Sequence, residues 1–186
     1  AEVVILGGGV AGTNAAAVSV GLGARVTILD TNIARLRELD ALYAGRVRTV
    51  VSNRFEIELA VCEANLVVGS VLVPGAKAPK LVSNELVSRM KPGSVLVDIA
   101  VDQGGCFEDS HPTTHADPTF RVHDSLFYCV ANMPGAVAHT STYALTNATL
   151  PYAATLANLG WREALRRDPA LALGLNVHAG SLVTEP

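Results

Sequence analysis

The sequence predicts an α/β fold: a doubly wound parallel sheet in three α/β/α layers, followed by a C-terminal helical extension. Three observations predict it. The chain opens on a short β-rich run, AEVVIL, that breaks into Gly7-Gly8-Gly9-Val10-Ala11-Gly12. Short apolar, β-branched runs then alternate with helical patterns over about the first 135 residues. After about Ala138 the alternation stops and a long helical pattern takes over.

Strands are expected near residues 3–6, 25–30, 47–51, 65–70, 94–99 and 126–130, and helices near 10–22, 33–43, 54–62 and 84–89. The runs VVIL, LVVG and VLVDI are apolar at successive positions, as strands buried on both faces are. Between the first strand and first helix the chain fits G-x-G-x-x-G through Gly7, Gly9 and Gly12. Gly7 permits a tight turn, Gly9 lets a pyrophosphate approach the backbone, and Gly12 lets the helix pack close to the sheet. Val10 and Ala11 stand at the helix start, where free N–H groups and the positive dipole end favour phosphate.

The second strand ends at Asp30, 18 residues beyond Gly12. A carboxylate there suits the adenosine ribose hydroxyls and repels a 2′-phosphate, so NAD is expected over NADP. Arg35 argues the other way, since a nearby Arg can hold that phosphate. Taken singly the glycines are a weak signal, and Asp30 could cap the helix that starts near Asn32. The joint order of strand, glycines, helix, strand and acid is the Rossmann dinucleotide-binding fingerprint.

Three loops fall at the carboxyl edge of such a sheet, where cofactor and substrate meet: residues 71–79, 100–105 and 131–135. Residues 106–123 are polar, contain Pro112 and Pro118, and are expected to form a long surface loop. Ser141 is expected to cap a helix through Leu159, bent at Pro151 and stopped by Gly160. Residues 161–167 read as a further short helix, with no clear element beyond. Residues 1–138 are thus expected as the NAD-binding Rossmann domain and 139–186 as a helical segment.

Composition narrows the function. Of 186 residues 49% are hydrophobic and 17% charged, which suits one packed domain, or one plus part of a second. The net charge is −3 with no basic stripe, so neither nucleic acid nor an anionic membrane is an expected partner. No apolar run approaches a membrane span, and no leader is expected before the first strand. Cys62, Cys106 and Cys129 are odd in number and form no C-x-x-C pair, so reduced thiols in a cytoplasmic protein are expected. No metal site is expected, because the histidines near Cys106 do not repeat at ligand spacing. His111, His115 and His123 read as solvated, and nothing in the sequence assigns a partner to His139 or His178.

Asp102 is the most chemical residue of these loops. Beside a nicotinamide its carboxylate could accept or relay a proton, or orient the ring. It could equally satisfy the backbone amides of Gly104 and Gly105. Asp98 reads as a strand-end capping acid.

Longer stretches carry a resemblance. Residues 71–81 (VLVPGAKAPKL), 91–105 (KPGSVLVDIAVDQGG) and 129–134 (CVANMP), running into 140–147 (TSTYALTN), resemble the NAD domain of the alanine dehydrogenase family. The resemblance covers essentially the whole chain. The soluble NAD-binding component of proton-translocating transhydrogenase is similar and shares the PG-x-x-APKL stretch; the Asp102-Gln103-Gly104-Gly105 loop resembles the alanine dehydrogenase side.

The resemblance implies roles. Asp30 would hold the adenosine ribose, with Arg35 and Ser52 flanking the adenosine half of NAD. Val71 and Leu72 would line the path to the pyrophosphate. Ile99, Asp102, Val130, Asn132 and Met133 would surround the nicotinamide, with Asp102 the catalytic residue of the set. The family oxidises L-alanine to pyruvate and ammonium through hydrolysis of iminopyruvate. Its catalytic Lys and His belong to an N-terminal substrate domain that this chain lacks, and Lys77 and Lys80 are not expected to replace them. Residues 139–186 would then be the return into that domain. The expectation is a fragment that binds NAD(H) and does not turn over alanine alone, from a parent that is a homo-oligomer, hexameric in the family. Two other readings are a transhydrogenase component and a non-catalytic NADH-sensing module.

Overall fold

A computed structural model of the chain describes residues 1–73 and 78–183. Pro74, Gly75, Ala76 and Lys77, part of the expected loop after the fourth strand, lie outside the described residues. The chain divides into two units, Ala1–Met133 and Pro134–Pro186.

In the first unit the strands are β1 (Glu2–Leu6), β2 (Arg25–Asp30), β3 (Val47–Val51), β4 (Leu66–Gly69), β5 (Val95–Asp98), β6 (Thr119–Val122) and β7 (Ser125–Tyr128). Among the described residues they make a seven-stranded sheet in the order β3-β2-β1-β4-β5-β7-β6. All neighbours are parallel except β6, which runs antiparallel to β7. The direction of winding reverses between β1 and β4, the switch point at which such sheets hold ligands.

Among the described residues four α-helices connect the strands: α1 (Val10–Gly21), α2 (Ile33–Tyr43), α3 (Arg54–Glu63) and α4 (Asn84–Ser88). Three of them start on a polar cap: Asn32, Asn53 and Ser83 accept from the amides of Arg35, Glu56 and Leu86. Alternate residues of β1 feed opposite faces of the sheet. Val4 and Leu6 join a cluster with Val67, Leu96, Phe107 and Phe127. Val3 and Ile5 join another with Ile28, Leu39 and Tyr43. A strand covered on both sides needs apolar residues at every position, which explains VVIL.

The polar stretch 106–123 is not all loop. Its last part forms β6, where Phe120 and Val122 are half-buried and Thr119 and Arg121 are exposed. That alternation is the signature of an edge strand. Phe120 packs on the Phe127 ring at 5.2 Å, and β7 takes up its backbone groups. Two isolated bridges, Val82 with Phe107 and Thr113 with Val130, tie down the chain on either side.

The second unit contains α5 (Ala138–Leu159), α6 (Trp161–Arg167), α7 (Pro169–Ala172) and a small hairpin of β8 (Val177–His178) and β9 (Ser181–Leu182). The long helix starts at Ala138, ahead of Ser141. The Ser141 hydroxyl instead donates to the Pro134 carbonyl at 2.8 Å, because the 3-10 turn Met133–Val137 leads straight into the helix. The helix runs through Pro151, and Gly160, at φ +71°, ends it. The hairpin, absent from the sequence reading, turns on Ala179 and Gly180, both at positive φ. Among the described residues no helix is long and apolar enough to cross a membrane.

Candidate functional site

The glycine turn lies at the carboxyl end of β1. Gly7 has φ +101°, and a Cβ there would stand 2.9 Å from the Ser70 carbonyl oxygen. A Cβ on Gly12 would stand 1.9 Å from the Gly7 carbonyl oxygen, an impossible approach, so only glycine fits. A Cβ on Gly9 would meet nothing within 4 Å. Space is therefore open over Gly9, as a pyrophosphate requires. Gly9 caps α1 without a side-chain bond, so no cap occupies the start of the helix at Val10, Ala11 and Gly12.

Asp30 ties this turn to the next helix. Its Oδ2 accepts from the Gly8 amide at 2.7 Å and its Oδ1 from the Asn32 amide at 2.8 Å. Asn32, not Asp30, caps α2. A carboxylate has about four acceptor positions, so two remain for ribose hydroxyls. Arg35 is committed within the protein. Its Nε donates to the Gly8 carbonyl at 2.7 Å, its Nη2 to Thr13 Oγ1 at 2.8 Å, and its Nη1 pairs with Glu38 at 2.8 Å. Those bonds reduce its capacity to hold a 2′-phosphate. Thr13 in turn donates to the Gly9 carbonyl, and its own carbonyl accepts from the Tyr43 hydroxyl at 2.7 Å. Nothing in the sequence signalled this Arg35–Thr13–Tyr43 network. Ser52, at the end of β3, donates its amide to the Asp30 carbonyl at 2.9 Å. Beside it lies a cavity of about 630 Å³ whose lining includes Thr31, Ser52, Lys80 and Arg89.

The other side of the rim follows β4, β5 and β7. Val71 is half-buried and Leu72 exposed just past β4. The Ile99 amide donates to the Gly69 carbonyl at 2.8 Å, which joins the ends of β4 and β5. Asp102 stands in a 3-10 turn, Val101–Gln103; it is exposed, and no hydrogen bond or ion pair to its carboxylate occurs among the described residues. The Gly104 and Gly105 amides donate to the carbonyls of Val101 and Ala100, not to Asp102.

The acid that gathers this loop is Asp98, which is fully buried. It accepts from the Ala100 amide at 3.0 Å, the Cys106 amide at 2.8 Å, the Phe107 amide at 3.4 Å and the Ser110 hydroxyl at 2.5 Å. Its reach goes well beyond the strand end that the sequence suggested.

After β7 come Val130, which is buried, Asn132, exposed at φ +56°, and Met133, which is half-buried. His115 Nε2 lies 3.1 Å from the Asn132 carbonyl oxygen and steadies that left-handed backbone. His111 stacks on Phe120 at 3.8 Å, and His123 Nε2 meets Asn84 Oδ1 at 3.0 Å; all three histidines are exposed, as expected, and each also has a partner in the protein. In the second unit His139 packs on Tyr143 and His178 on Trp161. Among the described residues no hydrogen bond joins Asp102 to Asn132 or Met133; they share the rim alone. The three cysteines are free. Burial, with a smaller effect of the Asp98 charge, pushes the Cys106 and Cys129 thiols up to about 11, so both stay protonated at neutral pH.

A sheet in this order, with an uncapped helix start over glycines and an acid closing the second strand, defines a dinucleotide-binding domain of the Rossmann type. The chain belongs to the family described as "Alanine dehydrogenase/PNT, C-terminal domain", whose model matches residues 1–185, and NAD is the dinucleotide of that family. It is 64% identical over 185 residues to an alanine dehydrogenase of Mycobacterium tuberculosis, covering 100% of this chain and 50% of the relative. A solved L-alanine dehydrogenase structure is similar at TM-score 0.90 and 57% identity, over 97% of this chain and 50% of that one. A transhydrogenase structure from Sinorhizobium meliloti is similar at TM-score 0.78 and 25% identity, over 98% of this chain and 49% of that one. The chain thus spans about half the length of the curated relatives it matches.

Proposed function

We propose that this chain is the NAD(H)-binding half of an L-alanine dehydrogenase, an enzyme that converts L-alanine to pyruvate and ammonium. The observation that carries the proposal is the 64% identity over 185 residues to a relative of that name. The geometry of the crevice supports it from below.

When bound, NAD supplies the hydride acceptor. The chain's own residues bind and orient it. The amides at the start of α1 hold the pyrophosphate over Gly7, Gly9 and Gly12, and Asp30 takes the adenosine ribose with Arg35 and Ser52 beside it. Val71 and Leu72 line the way across the rim. Ile99, Val130 and Met133 exclude water around the nicotinamide, and Asn132 offers its amide there. Asp102 is the catalytic residue of this half: an exposed carboxylate free to accept a proton or hydrogen bond from the reacting amine. The groups that grip alanine belong to the other half of the parent protein, so the chain alone binds cofactor without turnover. A cytoplasmic homo-oligomer is part of the same proposal.

Fluorescence titration of the chain with NADH and NADPH tests the cofactor assignment. NADH is expected to bind at least about ten-fold tighter, a gap of about 1.4 kcal/mol, and Asp30→Ala to narrow it. Equal affinity of the unaltered chain for both would overturn the role of Asp30. The transhydrogenase likeness supports a second reading, in which the chain passes reducing equivalents to a nicotinamide analogue with no amino acid present. Such transfer by the full-length protein would favour it.

A further inference from the structure

Lys80 joins the two loops that the cofactor would cross. Its Nζ donates to the Gly104 carbonyl at 2.6 Å and to the Phe107 carbonyl at 2.7 Å, across 24 and 27 residues of chain. Backbone bonds run alongside. The Ala78 amide meets the Gln103 carbonyl at 3.1 Å, the Leu81 amide meets the Cys106 carbonyl at 2.7 Å, and the Glu108 amide meets the Val82 carbonyl at 2.9 Å. Residues 78–82 therefore lie beside 103–108 as an improvised strand pair.

The loop that carries Asp102 needs such support. Its 3-10 turn is only three residues long, Val101–Gln103, and hydrogen-bond geometry in such turns is poor. Gly104 and Gly105 follow it at φ +94° and +76°, two residues with wide backbone freedom. Asp98 holds the loop from the sheet side, through Ala100 before the turn and Cys106, Phe107 and Ser110 after it. Lys80 holds it from the other side, at Gly104 itself. A charged donor contributes more than a neutral one to each bond. Misplacement of a positioned group by about 1 Å can cost about a hundred-fold in rate, so fixing a glycine-rich loop matters.

We propose that Lys80 is a positioning residue for the nicotinamide end of the site: its ammonium locks the Gly104–Phe107 segment and thereby holds Asp102 and Ile99 where the ring binds. This rests on the proposed placement of the nicotinamide beside Asp102. It also makes residues 78–82 and 103–108 one mechanical unit, so that Lys80 acts through Asp102 and touches no reacting atom.

The test uses the 186-residue chain with Lys80→Met, Lys80→Gln and Lys80→Arg. Amide hydrogen exchange without cofactor reads the brace directly. In Lys80→Met the amides of Gln103, Gly104 and Gly105 are expected to exchange at least about ten-fold faster, with β1 and β4 unchanged, and Lys80→Arg to recover most of the protection. NADH binding is expected to weaken about ten-fold, while ADP-ribose, which lacks the ring, changes less than about two-fold. Lys80→Gln, with one neutral donor group, falls between and serves if the Met variant does not fold. The proposal is overturned if the loop amides keep their exchange rates. It is equally overturned if NADH and ADP-ribose weaken by the same factor together with protection across the sheet. Failure of the cofactor placement looks different: the unaltered chain would bind ADP-ribose as tightly as NADH, with no change in nicotinamide fluorescence, and both readings would fall.

Discussion

The two units of the chain place their apolar residues in opposite ways. In Ala1–Met133 the central strands are covered on both faces, and Ile5, Ile28, Val67, Leu96 and Phe127 are completely buried. In Pro134–Pro186 only Ala164 is buried among the described residues. The 22-residue helix α5 buries none of its side chains, with Tyr143, Leu145 and Leu150 exposed at 61%, 65% and 64%. A sheet wound on both sides supplies its own cover; a helix with apolar residues and no layer against it does not. The first unit therefore contains what its stability needs. The second leaves apolar side chains of α5 in contact with solvent.

Hydrogen exchange is the largest expected expression of that contrast. Amides of β1 and β4 are expected to be protected at least about a thousand-fold more than those of α5 in the isolated chain. Equal protection would show that α5 finds cover in solution and would break the comparison. Truncation comes next. Phe127→Ala, which opens a hole against Phe107 and Phe120, is expected to cost about 3–5 kcal/mol in denaturant unfolding. Leu150→Ala is expected to stay within about 0.5 kcal/mol, because an exposed side chain leaves no cavity. Acid gives the smallest effect. Arg166 and Arg167 hold the Glu163 carboxyl well below its ordinary range, at about 2. A lowered folded-state value means that the contribution is complete above the unfolded value of 4.5 and fades as pH falls through about 2. The group is exposed, so salt should shrink the effect. Helical circular dichroism of the second unit is expected to soften over that window, and Glu163→Gln to remove the step.

Local pattern made much of this protein legible. The Gly7–Gly12 turn, the β-branched runs and the spacing to Asp30 depend on neighbours in sequence, and the crevice follows from their order. What stayed hidden depends on distant contacts. β6 is four residues long, lies beyond Pro118 in a polar tract, and buries only alternate side chains, so its pairing with β7 has no strong local sign. Asp98 reads as a strand-end acid because its donors arrive from as far on as Ser110. Lys80 reads as one more surface lysine, since the carbonyls it holds are more than twenty residues away. The Ser141 cap failed for the opposite reason: a plausible local motif lost to a 3-10 turn that had already started the helix.

The antiparallel strand β6 has an architectural consequence. A parallel neighbour is normally reached by a crossover that travels over a face of the sheet. Here the downward journey is made inside the sheet itself, by β6, and a tight corner at His123 and Asp124 sends the chain up again as β7. Everything between residues 99 and 118 is thereby spared the trip and can remain at the ligand-bearing end. Length can be added or rewritten there as in the tip of a glove's finger, altering what is grasped while the palm keeps its shape.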